Sequence, residues 1–144
     1  MRRSYILITM CLALAALASP AQPQGPERFR VRLTTVPMDG GMRNTVAGFG
    51  SASATLAGSK LSITGTFDGL KSPATSATLH SGVARGVRGN SIGNFTSTNA
   101  TKGSISGSID LSPDQVKGLR EGKLYLEIAS EKAPEGNLWG WLLK

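Results

Sequence analysis

The segment TVAGFGSASATLAGSKLSITGTF, residues 45–67, holds two runs of alternating side chains with Gly58-Ser59 between them. A glycine at the first position of a two-residue loop favours a type II′ turn, which joins antiparallel strands. Alternation also places Leu61, Ile63 and Phe67 on one face of the second run. The segment therefore predicts a β-hairpin with one buried face.

The same alternation recurs on both sides of this hairpin, which predicts short strands along most of the chain. The further runs are RFRVRLTTV (28–36), TSATLHS (75–81), SIGNFTS (91–97), GSISGSIDL (103–111), KLYLEIAS (123–130) and GNLWGWLL (136–143). The last two runs are separated by EKAPE, residues 131–135, which we expect to form a loop.

A single segment, LSPDQVKGLREG (111–122), has the signals of a helix. Ser112 is suited to the N-cap, Pro113 to the first helical position and Gln115 to the capping box, and Gly122 supplies the stop. Seven or eight short strands with one short helix predict an all-β fold, with an antiparallel β-sandwich as its architecture.

The N-terminal residues have the pattern of a secretory signal peptide. Arg2 and Arg3 precede an apolar run from Tyr5 to Leu17, and small residues follow that allow cleavage after Ala18 or after Ala21. A transmembrane helix would need roughly 20 apolar residues, so this run is too short to be one. We expect residues 1–21 to be removed, residues 22–27 to form a linker and residues 28–144 to form one domain.

Cleavage would change the chemistry of the chain. It would remove the single cysteine, Cys11, and the loss of two arginines would lower the formal net charge from +7 to +5. We therefore expect a basic, secreted or periplasmic protein without a disulfide or a membrane-spanning segment. Anionic surfaces are the natural partners of such a charge, and outside the cell we expect no nucleic-acid partner.

Three stretches follow one another between about Phe29 and Leu143: LSITGTFDGLKSPATSATLHSG, a glycine-rich loop and LREGKLYLEIASEKAPEGNLWGWLL. Their specific parts are G-L…A-x-L-H-x-G and L-x-x-G-x-L-Y-L-x-I…P-x-G-x-L-x-G-x-L. In this order the chain resembles the CHRD domain, the repeat named after chordin that also occurs singly in secreted bacterial proteins. The resemblance implies an extracellular, immunoglobulin-like β-sandwich, which in bacteria is often of unknown biochemical role.

His80 is the only histidine of the chain. The resemblance implies a His-x-His motif at Thr78–His80 and another histidine at Ala129, and this sequence keeps His80 alone. Zinc and copper need three or four protein ligands, so we expect no metal site, no cofactor and a structural His80. The alternative is a small metal-dependent enzyme or metal-binding protein that uses His80, with Asp68 or Glu127 assisting.

No catalytic residue is predicted. GNSIG, residues 89–93, matches G-x-S-x-G, but a nucleophile elbow needs a strand-to-helix turn in an α/β sheet. In a chain this rich in glycine and serine, the match is explained by chance.

Five arginines are candidates for binding an anionic partner. Arg28, Arg30 and Arg32 alternate along the first strand, and Arg85 and Arg88 lie in the loop after His80. Charged residues on an outer strand also protect a sheet edge from aggregation, and this interpretation competes with the binding one.

The last run adds two aromatic candidates. Leu138 and Leu142 share one face of a strand and Trp139 and Trp141 the other, so we expect the leucines in the core and the indoles outside. A loop, the first strand or a partner subunit would cover the indoles, or they would form an open platform for sugar rings or a protein.

Together these features predict a non-enzymatic binding or envelope-associated module. Its partner would be an anionic envelope polymer, a glycan or a protein, and its oligomeric state stays open. The predicted binding residues are Trp139, Trp141, Arg28, Arg30, Arg32, Arg85 and Arg88.

Overall fold

The computed structural model describes residues 25–144, and this part of the chain is all-β with one α-helix. The prediction of a signal peptide at residues 1–21 lies outside the described residues. The strands are β1 Glu27–Thr35, β2 Phe49–Ala57, β3 Lys60–Asp68, β4 Ala74–Ser81, β5 Asn90–Ser97, β6 Gly103–Asp110, β7 Leu124–Ser130 and β8 Ala133–Trp141. The helix α1 is Pro113–Arg120, and Met42–Asn44 form a single 3-10 turn. Across residues 25–144, no helix has the length and apolar character needed to cross a membrane.

The hairpin predicted from residues 45–67 is confirmed. β2 and β3 pair in register up to Ala57 and Lys60, which leaves a two-residue turn. Gly58 has a φ of 62°, and within residues 25–144 positive φ occurs only at glycines. A positive φ followed by a negative one at Ser59 is the conformation of a type II′ turn.

The strands close into a barrel in the order β1-β2-β3-β6-β5-β4-β7-β8, with antiparallel neighbours throughout. The eight antiparallel strands and the single helix agree with the prediction, whereas the immunoglobulin-like sandwich does not describe the sheet. The difference arises because β1 and β5 each pair with one strand from each half of the barrel, and these pairings join the two halves into one closed sheet. β1 pairs with β2 through its first seven residues and with β8 through Thr34 and Thr35.

The barrel interior is filled by the inward side chains of the alternating strands. Leu61, Ile63 and Phe67 are buried, as the hairpin pattern predicts. Leu138 and Leu142 are fully buried, which confirms that the leucine face of β8 is the core face.

The helix α1 begins with the predicted capping box. The backbone N–H of Gln115 donates to Ser112 Oγ at 3.2 Å, and the backbone N–H of Ser112 donates to Gln115 Oε1 at 2.9 Å. Leu119 is the buried residue of this helix and anchors it to the core.

β8 begins earlier than the sequence indicated. The expected loop at residues 131–135 is a turn at Glu131 and Lys132, and the strand starts at Ala133. The register with β7 shifts between Ile128 and Ser130, so Pro134 lies in a bulged part of the strand. A bulge tolerates proline because it leaves a residue out of the ladder of hydrogen bonds.

Candidate functional site

The pairing of β1 with β8 creates a cleft on the outer surface of the barrel. The two strands pair at Thr34 and Trp139, and again at Arg30 and Leu143. This register sets Arg32 opposite Trp141 in between. Gly140, between the two tryptophans, has no side chain, which lets the backbone of β8 lie close to the backbone of β1 at Arg32. The resulting cleft has a volume of about 310 Å³.

Five of the seven predicted binding residues line this one cleft: Arg30, Arg32, Arg85, Trp139 and Trp141. Lys144 joins them at the cleft. Arg88 lies beside the cleft, with its guanidinium 5.7 Å from the centre of the Trp139 ring. Arg28 lies apart from the indoles, in a neighbouring groove of about 490 Å³ that also contains Arg30 and Lys144.

The arginines of the cleft are not neutralised by the protein. Among residues 25–144, Arg30, Arg32 and Arg85 have no carboxylate within salt-bridge distance. Lys144 is paired with Glu27 at 2.8 Å. Three guanidinium groups therefore leave the cleft with an uncompensated positive charge.

Edge protection does not account for the arginines of β1. In the closed barrel β1 has partners on both sides, β2 and β8, so it presents no free edge. The competing interpretation of these arginines loses its physical basis.

The two indoles belong to an aromatic cluster on the outer face of the sheet. Trp139 and Trp141 meet edge to face with ring centres 4.6 Å apart, and Tyr125 packs 5.0 Å from Trp141. His80 stacks on Tyr125 with ring centres 4.9 Å apart and an interplanar angle of 8°. Both indoles are half-buried, which is between the open and the covered arrangement expected from the sequence.

A buried carboxylate holds the loop at residues 82–89 over this cluster. Arg88 Nη1 donates to Glu127 Oε2 at 2.8 Å, and Glu127 is only 9% exposed. The backbone N–H of Gly89 donates to the Tyr125 hydroxyl at 3.0 Å. Burial raises the pKa of the Glu127 carboxyl, and the charges of Arg88 and His80 oppose that rise.

Sequence reasoning missed Tyr125 as a site residue and considered Glu127 only as a helper to a metal. Every residue of β7 is buried, on both faces of the sheet. A glutamate within such a strand was the available signal, because a buried carboxylate needs a partner. Arg88 was predicted to be a binding residue. In the structure its guanidinium is engaged by Glu127, so it positions the loop at residues 82–89 beside the cleft.

His80 has structural partners at both ring nitrogens. Nδ1 lies 3.2 Å from the carbonyl oxygen of Gly89, and Nε2 lies 3.8 Å from Glu127 Oε1. Ser91 of the GNSIG segment stands opposite His80 across β4 and β5, but neither imidazole nitrogen is directed to it. Within the described part of the chain, no group of three or more His, Cys, Asp or Glu residues can hold a metal ion. The metal-dependent alternative gains no support here.

Comparison with known proteins gives one family. A family model described as CHRD domain matches residues 29–142, which include both strands of the cleft. No curated protein and no solved structure matches the chain.

Proposed function

This chain belongs to the CHRD domain family, and on that premise we propose that it is a secreted or periplasmic binding module without enzymatic activity. The family is non-catalytic and typically extracellular. The principal binding surface in this proposal is the cleft between β1 and β8, and the partner is anionic.

The convergence of Arg30, Arg32 and Arg85 with the indoles of Trp139 and Trp141 carries this proposal. Guanidinium groups recognise carboxylate, sulfate and phosphate through paired hydrogen bonds. A neighbouring aromatic surface adds contact area at little cost in conformational entropy. The combination favours an anionic ligand with a flat apolar face over a simple inorganic ion.

Binding can be followed through the protein's own fluorescence. The chain has two tryptophans, and both line the cleft, so their emission reports on its occupancy. We expect dextran sulfate, polyglutamate or vesicles containing phosphatidylglycerol to change this emission in a saturable way at low salt. Added salt should weaken the effect.

A charge-matched pair of variants tests the location. Arg30→Ser with Arg32→Ser removes two cleft charges, while Arg43→Ser with Lys71→Ser removes two exposed charges elsewhere. We expect the cleft variant to bind at least about tenfold more weakly, a loss of about 1.4 kcal/mol, and the control to stay close to the parent protein. Absence of binding to every anionic probe, or equal losses in both variants, would overturn the proposed function.

The extracytoplasmic location has its own test. Expressed from its full gene, the protein should be recovered outside the cytoplasm with an N-terminus near Ser19 or Gln22. Mass spectrometry of the fractions would show this, and recovery of intact Met1 in the cytoplasm or a membrane pellet would contradict it.

A further inference from the structure

We propose that the ligand of the cleft is an acidic polysaccharide, bound as an extended chain across the outer face of β1. This inference rests on the proposed function and selects one ligand class within it.

The first support is that the cleft is one of three connected grooves. A groove of about 780 Å³ lies over β2, β3 and β6 and shares Arg32 with the cleft. The groove of about 490 Å³ beside Arg28 shares Arg30 and Lys144 with it. A polysaccharide that passes from one groove to the next therefore crosses an arginine where the two grooves meet. A small anion would occupy a single groove, whereas a polyanion makes use of all three.

The second support is a flat surface of hydroxyl groups next to the arginines. Strand register places Arg32 in one row with Ser51, Thr66 and Ser104. The next row joins Arg30 to side chains of the same kind: Ser53, Thr64 and Ser106. Short hydroxyl side chains keep the face level and can both donate and accept hydrogen bonds, as sugar hydroxyls require.

The third support is the charge of the groove linings. Among residues 25–144, Asp68 is the single acidic side chain that lines any of the three grooves, and it is paired with Lys102 at 3.3 Å. Carboxylate and sulfate groups along a polysaccharide can thus approach Arg30 and Arg32 without meeting an unpaired acidic side chain of this part of the protein. Either group suits the planar fork of an arginine.

The fourth support is the position of the aromatic side chains. The indoles line the cleft, and Phe49, which is 65% exposed, lines the groove of about 780 Å³. Exposed aromatic faces offer contact to the C–H face of a sugar ring, which a polypeptide carboxylate does not present. A folded protein partner would need an interface of about 800 Å² with an apolar centre, whereas the centre of this surface is arginine and serine.

A probe panel separates sugar recognition from charge alone. Polygalacturonate carries carboxylates on sugar rings, dextran sulfate carries sulfates, dextran carries no charge, and polyglutamate carries carboxylates without sugar. We expect both acidic sugars to bind, dextran to bind at least about tenfold more weakly, and polyglutamate of equal charge density also at least about tenfold more weakly. Tryptophan emission and affinity electrophoresis give independent measurements.

Variants link the result to the surface. Arg30→Ser with Arg32→Ser should lower the affinity for both acidic sugars at least about tenfold, and Arg43→Ser with Lys71→Ser should leave it within about twofold. Phe49→Ser should weaken binding of polygalacturonate and leave binding of polyglutamate unchanged. Because Phe49 is exposed, this variant is expected to fold normally, and a thermal melt checks that it does.

The outcomes distinguish this inference from the proposed function. If polyglutamate or oligothymidylate binds as tightly as the sugars with the same dependence on Arg30 and Arg32, the sugar inference is overturned and the anionic binding module stands. If phosphatidylglycerol vesicles bind in preference to the sugars, the sugar inference is again overturned, and the exposed Val83 and Val87 beside Arg85 become the contact. If no anionic probe binds, the proposed function fails as well.

Discussion

Asn137 shows how one buried side chain can replace a strand pairing. Ala47 N–H donates to Asn137 Oδ1 at 3.3 Å, and Asn137 Nδ2 donates to the Ala47 carbonyl at 2.8 Å. The amide thereby satisfies both backbone groups of a residue in the long connection between β1 and β2. Val46, the residue before Ala47, lies with Val36 in the small apolar cluster against which Trp139 packs.

Asn137→Ala should lower the free energy of unfolding by about 2 kcal/mol, because it leaves the half-buried N–H and carbonyl groups of Ala47 without these side-chain partners. Urea denaturation measures this. Asn99→Ala, at an exposed position, is the control and should change stability by less than about 0.5 kcal/mol. Equal midpoints for the two variants would show that the amide contributes nothing.

The ion pair between Arg88 and Glu127 predicts that the stability of the fold depends on pH. The pKa of Glu127 is raised above 4.5 in the folded state by burial. The folded protein therefore holds this proton more readily than the unfolded chain, and stability falls as pH rises from 4.5 through the folded pKa. Arg88→Gln removes the positive charge that opposes the raised pKa of Glu127. The variant should therefore be destabilised more near about pH 8 than near about pH 5.

The control for this prediction is Arg85→Gln, in the same loop. Arg85 has no carboxylate within salt-bridge distance among residues 25–144, so its stability difference from the parent should not depend on pH. Denaturant titrations at the two pH values give the comparison. Parallel pH profiles for both variants would contradict the role of Arg88.

At the scale of elements, Glu27 links the start of β1 to the end of α1. Its Oε1 accepts from Arg120 Nε at 2.9 Å and from Arg120 Nη2 at 2.6 Å, and its Oε2 lies 2.8 Å from Lys144 Nζ. The hydrogen bonds of Arg120, followed by that of Lys144, lower the pKa of Glu27 to about 2. One carboxylate thus connects a strand, the helix and residue 144.

Glu27→Gln should reduce the amount of stability that the protein loses as the pH falls. The lowered pKa means that the contribution of Glu27 is present above pH 4.5 and is lost as pH falls toward about 2. The variant should be less stable than the parent near neutral pH, and the two should converge at the acid end. Glu131→Gln, an exposed residue of the turn before β8, is the control. If Glu27→Gln and Glu131→Gln show the same difference in stability from the parent at all pH values, the ion pairs of Glu27 do not have this role.

The elements were largely predictable because their signals are local. Alternation gave the buried faces of β3 and β8, Gly58-Ser59 gave the turn, and Ser112 with Gln115 gave the helix start. The start of β8 was missed because Pro134 normally argues against a strand, and only the bulged register with β7 accommodates it there.

At the scale of the whole molecule, alternation indicates which face of a strand is buried but not which strand lies beside it. β1 pairs with β2 on one edge and with β8 on the other, and this long-range pairing with β8 closes the barrel. The candidate site depends on the same choice. The arginines and indoles were both predictable as outward side chains, but their meeting in one cleft follows from a pairing between opposite ends of the domain.

The pairing of β1 with β8, which closes the barrel, depends on Gly140. A Cβ atom at this position would collide with the carbonyl oxygen of Arg32 and lie 2.8 Å from Val31 Cγ1, so the strands can meet only if residue 140 has no side chain. Because the obstruction is mainly backbone, it cannot be relieved by a rotamer change. Gly140→Ala should therefore push β1 and β8 apart and cost about 1–3 kcal/mol of stability.

Two measurements follow this change. The melting temperature should fall, and the emission of Trp139 and Trp141, which flank residue 140 and line the cleft, should shift to the red as their shielding is reduced. Gly40→Ala is the matched control, because no atom lies within 4 Å of the added Cβ and the backbone there is not in the left-handed region. A Gly140→Ala protein with the melt and emission of the Gly40→Ala protein would mean that β1 and β8 need no close approach. The cleft would then not depend on how the barrel closes.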